Sequence, residues 1–187
     1  MPLIRKISRS HLLIRFIGIG ILIFILSCTD SDYPMDNWID VPLQELEPPA
    51  VFFNPHEINV SVGDIFAINL YVLQVDNVAG VHLHVQYAPE DLELLDVEVG
   101  ELFIDGYRPL FFWDSTDVYL DVYSLYLATD EYTYSSGTAS IATAYFRARD
   151  PSGGSDMIYL RPQTRLVTPD NQPITIKSYG KAKINVD

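Results

Sequence analysis

Cysteine is almost absent from this sequence: Cys28 is the only one among 187 residues. No disulfide can therefore form within the chain, which excludes a small secreted scaffold held together by disulfides. The motifs of common catalytic centres are also missing, since there is no G-x-S-x-G, no H-E-x-x-H and no glycine-rich phosphate loop. We therefore expect a protein that is not an enzyme and that needs no cofactor.

Basic residues are scarce as well. The chain has 12 Lys and Arg against 25 Asp and Glu, which gives a formal net charge of −13. Residues 1–27 hold four of the basic residues and none of the acidic ones, so the remainder is still more acidic. Such a field repels phosphate backbones and anionic membrane surfaces. Nucleic acid is therefore excluded as an expected partner.

The longest apolar run near the N-terminus is too short to cross a membrane. It covers residues 16–26, follows a basic segment and ends in Ile25-Leu26-Ser27-Cys28, whereas a spanning helix needs about 20 residues. This pattern is similar to the lipobox of bacterial lipoproteins, in which the cysteine after the cut is acylated. We expect a signal peptide over residues 1–27, export, and a lipid anchor at Cys28. An uncleaved N-terminal anchor is the alternative, and Thr29 after the cysteine favours the outer membrane or cell surface of a bacterium.

Residues 28–50 are predicted to form a tether between the anchor and a folded domain. They contain four prolines and six acidic residues, without apolar periodicity of either kind. A polyproline II segment extends by about 3.1 Å per residue, so this stretch could hold a domain away from the lipid headgroups. Residues 51–187 remain, enough for one domain with a single core.

Alternating apolar residues predict that residues 51–187 are all-β. In the stretch from Gly80 to Tyr87, every second residue from Val81 is apolar, while His82 and His84 occupy the alternate positions. Period two with one apolar face is typical of a half-buried strand. About nine such short runs, separated by turn signals, indicate a two-sheet β-sandwich.

His82 and His84 are also considered as metal ligands, because an i, i+2 pair on a strand points both imidazoles to the same side. The sequence names no third ligand, so we expect solvent-facing histidines and no metal. Asp91 and Glu93 are a carboxylate pair that could in principle hydrolyse glycosides. That chemistry needs a cleft and a raised pKa on one partner, which a small sandwich seldom provides.

Aromatic residues crowd the middle of the domain. In residues 118–127 the apolar phase changes from Val118, Leu120 and Val122 to Leu125 and Leu127. This change predicts a bulge near Ser124 that turns Leu125 inward and Tyr126 outward. Tyr126 would then lie beside a loop that contains Tyr132 and Tyr134. An outward tyrosine cluster serves a protein interface as well as a glycan.

The order of turns and strands resembles the cohesin domain, the receptor module of cellulosome scaffolds. The resemblance covers residues 51–187 and implies a cohesin-like jelly roll. It rests on Val60, Gly63, Asp64, Ala79-Gly80, Tyr87-Ala88-Pro89, Leu92, Leu94, Val97, Gly100, Ser136-Gly137-Thr138, Tyr145-Phe146-Arg147-Ala148 and the segment from Val167 to Ile174.

The resemblance also implies a docking face. Cohesins bind a dockerin, which is similar to a doubled calcium loop, on the flat outer face of the sheet carrying their third, fifth, sixth and eighth strands. Here the contacts fall on Gly80 and His82 of the third strand and on Tyr126, Thr129 and Asp130. Type I cohesins place Asn and Asp at the first two positions and an acidic residue at the position of Thr129, so this sequence departs from that pattern.

The sequence therefore predicts a non-catalytic module that docks a protein partner at the cell envelope, and the cohesin resemblance implies a dockerin-like partner. Its predicted partner-binding residues are Gly80, His82, His84, Tyr126, Thr129, Asp130, Tyr132 and Tyr134. A carbohydrate-binding module that aids polysaccharide capture is one alternative, and a structural subunit of an envelope complex is another. A linear row of coplanar exposed aromatic rings would favour a glycan, whereas a mixed polar and aromatic plateau would favour a protein.

Overall fold

The structure, a computed structural model, describes residues 46–104, 109–126, 134–150 and 154–187. Within these ranges the chain forms strands, turns and bends, and no helix long and apolar enough to cross a membrane occurs there. The predicted signal peptide, Cys28, most of the predicted tether, Thr129, Asp130 and Tyr132 lie outside the described residues.

Thirteen β-strands are found in the described part of the chain, which confirms the all-β prediction. The number exceeds the nine or so expected, in part because the C-terminal run divides into three short strands around Gly180. The strands are β1 (Ala50–Asn54), β2 (Glu57–Val60), β3 (Ile65–Val78), β4 (Gly80–Gln86), β5 (Leu92–Val99), β6 (Leu110–Ser115), β7 (Tyr119–Leu125), β8 (Ser135–Ala148), β9 (Ser155–Tyr159), β10 (Arg165–Val167), β11 (Pro173–Ile174), β12 (Ser178–Tyr179) and β13 (Lys181–Val186).

The strands form two mixed sheets that pack as a sandwich. The first sheet has the order β12-β1-β3-β8-β5, and the second has the order β11-β10-β4-β9-β13-β2. On its other side β4 pairs along its whole length with β7, and β7 pairs with β6. The second sheet therefore presents β6, β7 and β4 as three neighbouring antiparallel strands.

The core lies between the two sheets and determines which side chains of each strand point inward. From β4, Leu83 and Val85 are fully buried, and from β7, Leu120 and Val122 are fully buried. They pack with Ile68, Phe146 and other apolar side chains of the first sheet into one cluster. Because side chains alternate across a strand, the intervening residues of β4 and β7 must lie on the outer face of the second sheet.

The predicted phase shift near Ser124 is wrong. Ser124 is buried in the same phase as Leu120 and Val122, and Tyr126 follows in that phase with only 8% of its surface exposed. A serine is small enough to lie between the sheets, so β7 keeps its period of two without a bulge. Tyr126 therefore lies in the core, and Leu125, predicted to face inward, lies on the outer face.

Candidate functional site

The outer face of β6, β7 and β4 collects the side chains that the core excludes. The strand register places Phe112 opposite Tyr123 and Tyr123 opposite His82. The next row has Asp114 opposite Asp121 and Asp121 opposite His84. We call this surface the outer plateau; it comprises Leu110, Phe112 and Asp114 of β6, Tyr119, Asp121, Tyr123 and Leu125 of β7, and Gly80, His82, His84 and Gln86 of β4.

Three rings stack side by side across the outer plateau. The Phe112 and Tyr123 centroids are 4.6 Å apart with planes inclined by 13°, and the Tyr123 and His82 centroids are 4.2 Å apart with planes inclined by 12°. These separations are close to the spacing of neighbouring strands, about 4.8 Å. The rings must therefore stand on edge on the sheet, with the Tyr123 ring stacked on both faces and its edge directed away from the sheet.

The first ring of this ladder, Phe112, and two leucines of the neighbouring row are exposed apolar side chains. Leu110 is 50% exposed, Phe112 46% and Leu125 37%. Leu125 lies opposite both Leu110 and Gly80, so the three residues form one row across the strands. Exposed apolar side chains that gather on one flat face indicate a contact surface more strongly than single exposed residues do.

Gly80 shapes a shallow apolar depression at the end of that row, where His82, Leu125 and Arg165 also line the surface. A Cβ atom at position 80 would approach the Cγ2 atom of Val167 to 2.7 Å, closer than real Cβ atoms come to their neighbours. A larger residue at position 80 would therefore require the side chain of Val167 on β10 to shift.

Two histidines of β4 converge on one carboxylate of β7. The Nε2 atom of His82 lies 2.7 Å and the Nδ1 atom of His84 lies 2.6 Å from the same Oδ1 atom of Asp121. Partial burial raises the pKa of Asp121, but the hydrogen bonds from the two imidazoles, with their charges, lower it by more, so the net pKa lies below the usual value. We call these three residues the His-His-Asp cluster.

The outer plateau carries negative charge beside its apolar row. Asp114 and Asp121 lie directly opposite each other on β6 and β7. The pKa of the Tyr123 hydroxyl is raised, first by partial burial and then by the charges of these two carboxylates. The outer plateau is therefore a mixed surface of aromatic edges, aliphatic side chains and acidic groups.

The structure brings together three of the predicted site residues. Gly80, His82 and His84 share the outer plateau, and the predicted outward phase of the histidines is confirmed, although contacts with Asp121 leave them only partly exposed. Tyr126 does not belong to this surface, because it is buried. Tyr134 is 50% exposed directly before β8, whose first residue pairs with Val78 of β3.

Sequence reasoning overlooked the contributions of β6 and the outer side of β7 to this surface. The local signal for β6 and β7 was present, since Thr116 and Asp117 separate two apolar runs and predict a hairpin. In that hairpin Thr116 accepts a backbone hydrogen bond from Tyr119 through its side chain and donates its own N–H to the Tyr119 carbonyl. The pairing of β7 with β4 has no such local signal, because the paired residues lie about 40 positions apart in the sequence.

The carboxylate pair considered for glycoside hydrolysis is engaged elsewhere. The buried Asp91 accepts a hydrogen bond from the hydroxyl of Ser155. Glu93 accepts one from Arg147 at 3.0 Å and forms an ion pair with Arg149 at 3.1 Å, and the Arg149 contact is the main cause of its lowered pKa. Both carboxyl groups are therefore held by contacts within the sandwich, and Glu93 has a lowered pKa where a general acid requires a raised one.

No protein-family model matches the sequence, and no curated protein sequence matches it. Solved structures do match. A non-cellulosomal cohesin from the archaeon Archaeoglobus fulgidus is 15% identical with a TM-score of 0.60, and the match covers 74% of this chain and 91% of that one. A type II cohesin domain from the cellulosome of Acetivibrio cellulolyticus is 17% identical with a TM-score of 0.61, over 73% and 96%.

A third match is a type I cohesin–dockerin complex from Clostridium thermocellum, at 11% identity and a TM-score of 0.60 over 74% of this chain and 99% of that one. Identities this low establish a shared architecture. The chain is a β-sandwich protein, and its sandwich has the cohesin fold.

Proposed function

We propose that this chain is a non-catalytic receptor module that docks a protein partner of the dockerin type on its outer plateau. The observation that carries the proposal is the pair of exposed leucines, Leu110 and Leu125, beside the stacked rings that begin with the exposed Phe112, on a flat sheet face of a cohesin fold. One of the similar structures is a cohesin bound to a dockerin. In cohesins the docking face is the outer side of the sheet that carries the third strand, and the resemblance assigns that strand to β4.

The orientation of the rings favours a protein over a glycan. A sugar ring stacks on the exposed face of an aromatic side chain. Here Phe112, Tyr123 and His82 stack on one another, so the shared faces are covered and ring edges point outward. An edge surrounded by aliphatic side chains and carboxylates suits the mixed surface of a protein partner.

The charges of the outer plateau define the partner further. Asp114 is exposed and Asp121 lies beside it, and the chain as a whole is strongly acidic. A partner with an apolar centre and basic residues at its rim would match this surface in shape and charge. We keep Thr129 and Asp130 in the proposed contact on the basis of the cohesin resemblance, and Tyr132 and Tyr134 as tyrosines of the adjoining loop. The aspartates and the departure from the type I pattern at Gly80, His82 and Thr129 predict a partner distinct from a type I dockerin.

We further propose that the module is exported and anchored to the bacterial envelope by lipid at Cys28. The support is the lipobox-like end of the N-terminal apolar run and the acidic, proline-rich residues that follow it. A tethered receptor with a free outer face would recruit proteins that carry the matching module to the cell surface.

The test is a calorimetric titration of the protein with doubled calcium-loop modules encoded in the same genome. Phe112→Ala and Leu125→Ala should each weaken binding by about 2 kcal/mol, roughly 30-fold, because anchors near the centre of an interface dominate its energy. Ile65→Ala is the matched control, since Ile65 is 59% exposed on β3 of the other sheet.

Unchanged affinity in both plateau variants would place the docking site elsewhere. A soluble polysaccharide that binds the wild-type protein and fails to bind Phe112→Ala or Tyr123→Ala would support the carbohydrate-binding alternative instead.

A further inference from the structure

The His-His-Asp cluster has the composition and convergence of a metal site. The candidate ligand atoms of His82, His84 and Asp121 all lie within 4.8 Å of one another. Two imidazole nitrogens and one carboxylate oxygen form a donor set that Zn²⁺ and related transition ions accept in proteins. The sequence pattern did not identify a third ligand. In the structure it is Asp121 of β7, which the strand pairing places opposite His84.

The rings that carry the two nitrogens are held in place before any ion binds. The His82 ring stacks on Tyr123 at 4.2 Å, and the His84 ring stacks on Tyr119 at 4.8 Å. Side chains restrained by packing lose little freedom when they coordinate a metal, and this favours tight binding. The partial burial of all three side chains also removes part of the water that would compete for the ion.

Only a small rearrangement separates the observed cluster from a coordinated one. The two nitrogen–oxygen distances are hydrogen-bond lengths, 2.7 Å and 2.6 Å. Ligands at about 2.0 to 2.2 Å from a tetrahedral ion lie about 3.3 to 3.6 Å apart, so each contact would lengthen by roughly 0.6 to 1 Å. A rotation of the Asp121 carboxylate about its side-chain bonds would lengthen both contacts while the two stacked imidazole rings stay in place.

The charge around the cluster favours a cation. Asp114 lies directly opposite Asp121, and like charges at opposed positions of neighbouring strands destabilise a sheet. A divalent ion between the histidines and Asp121 would offset that repulsion. The strongly acidic chain adds to the attraction.

We propose that His82, His84 and Asp121 form a binding site for one divalent first-row transition metal ion, of which Zn²⁺ is the representative. Three protein ligands leave one position of a tetrahedral ion open, and the partial exposure of the cluster directs that position toward the outer side of the sheet. The site stands on the geometry of the cluster and is independent of the proposed docking function.

The experiment is calorimetric titration of Zn²⁺ into the full-length protein, purified in detergent without a histidine tag, with Co²⁺ absorption as a second readout of coordination. We expect one ion per chain. Loss of an outer-shell partner of a metal ligand costs about 10- to 100-fold in affinity, so His84→Ala and Asp121→Asn, which remove ligands, should cost at least that much. His56→Ala is the matched control, because His56 lies outside the cluster and should leave affinity unchanged.

Thermal unfolding keeps the result interpretable if a variant is less stable. Saturating Zn²⁺ should raise the unfolding midpoint of the wild-type and His56→Ala proteins and leave that of Asp121→Asn unmoved. Absence of stoichiometric binding to the wild-type protein, or equal binding by wild type and His84→Ala, would overturn the proposal.

Discussion

The ring of Tyr126 packs edge-on against the ring of Phe103, with centroids 5.6 Å apart and planes inclined by 62°. Both side chains are buried between the two sheets. Tyr126 directly follows the end of β7, and its backbone N–H donates to the carbonyl of Ala79, the residue before β4. The hydrogen bond therefore joins the end of β7 to the start of β4, and the ring contact joins it to the loop that precedes β6.

Tyr126→Ala should destabilise the fold by about 3 to 5 kcal/mol, the range seen when a buried aromatic side chain is truncated. The reason is the cavity left beside Phe103 together with the lost burial of the ring. Chemical denaturation monitored by fluorescence provides the measurement. Tyr134→Ala is the control and should stay within about 0.5 kcal/mol of wild type, because Tyr134 is half exposed. Equal stability of Tyr126→Ala and wild type would contradict the buried position.

The register of β4 makes a second prediction. Leu83 is fully buried, so Leu83→Ala should cost about 2 to 5 kcal/mol. His82 lies on the opposite side of the strand, where it stacks on Tyr123 and bonds to Asp121. His82→Ala should cost about 1 kcal/mol, because a partly exposed hydrogen bond contributes less than a filled core position. Urea unfolding of both variants would measure the ranking, and the reverse order would mean that the strand is shifted by one residue.

Local alternation was enough to predict most of the sandwich. The faces of β4 follow directly from the spacing of Val81, Leu83 and Val85, and the hairpin of β6 and β7 follows from the turn at Thr116. Irregular positions escaped prediction. Gln74 and Asn77 adopt positive φ values of 44° and 56° in β3, beside shifts in its register with β8.

The candidate site was predictable only in part, because it depends on contacts between distant segments. Period two alone predicts that His82 and His84 point outward. It cannot indicate that Asp121 from a strand about 40 residues later will bridge them, since that pairing is decided by the packing of the whole sheet. Tyr126 was placed on the wrong side because a change of apolar phase was taken to require a bulge near Ser124, whereas the core accepts the small side chain of Ser124 and β7 keeps its register with β4.

The anchor makes a prediction that concerns residues outside the described structure. Cys28→Ala should abolish acylation and release or mislocalise the protein, because the only cysteine of the chain would be gone. Membrane fractionation with mass spectrometry of the N-terminus gives the measurement. Thr29→Ala serves as a control that retains the thiol. A Cys28→Ala protein that still fractionates with membranes and retains residues 1–27 would rule out the lipoprotein interpretation.

The buried hydroxyl of Tyr159 makes the stability of the fold sensitive to alkaline pH. This hydroxyl donates a hydrogen bond of 2.9 Å to the carbonyl oxygen of Phe52, and its ring stacks on Phe53 at 4.3 Å. Burial raises the pKa of Tyr159 well above 10.0. Above pH 10 the unfolded chain therefore loses a proton that the folded chain keeps. The contribution of the protonated Tyr159 hydroxyl to the free energy of unfolding is fully present below pH 10 and is lost as the pH rises beyond it.

Tyr159→Phe should accordingly reduce the fall in unfolding free energy between pH 9 and pH 11, as measured by urea denaturation at a series of pH values. At neutral pH the same variant should be less stable by about 1 to 3 kcal/mol, because the buried carbonyl of Phe52 loses its donor. Leu83→Ala is the control: it weakens the core without removing an ionisable group, so its pH dependence should match that of wild type. If the alkaline slope of Tyr159→Phe were identical to that of wild type, this hydroxyl would ionise as readily in the folded protein as in the unfolded chain. That result would contradict its burial between the sheets.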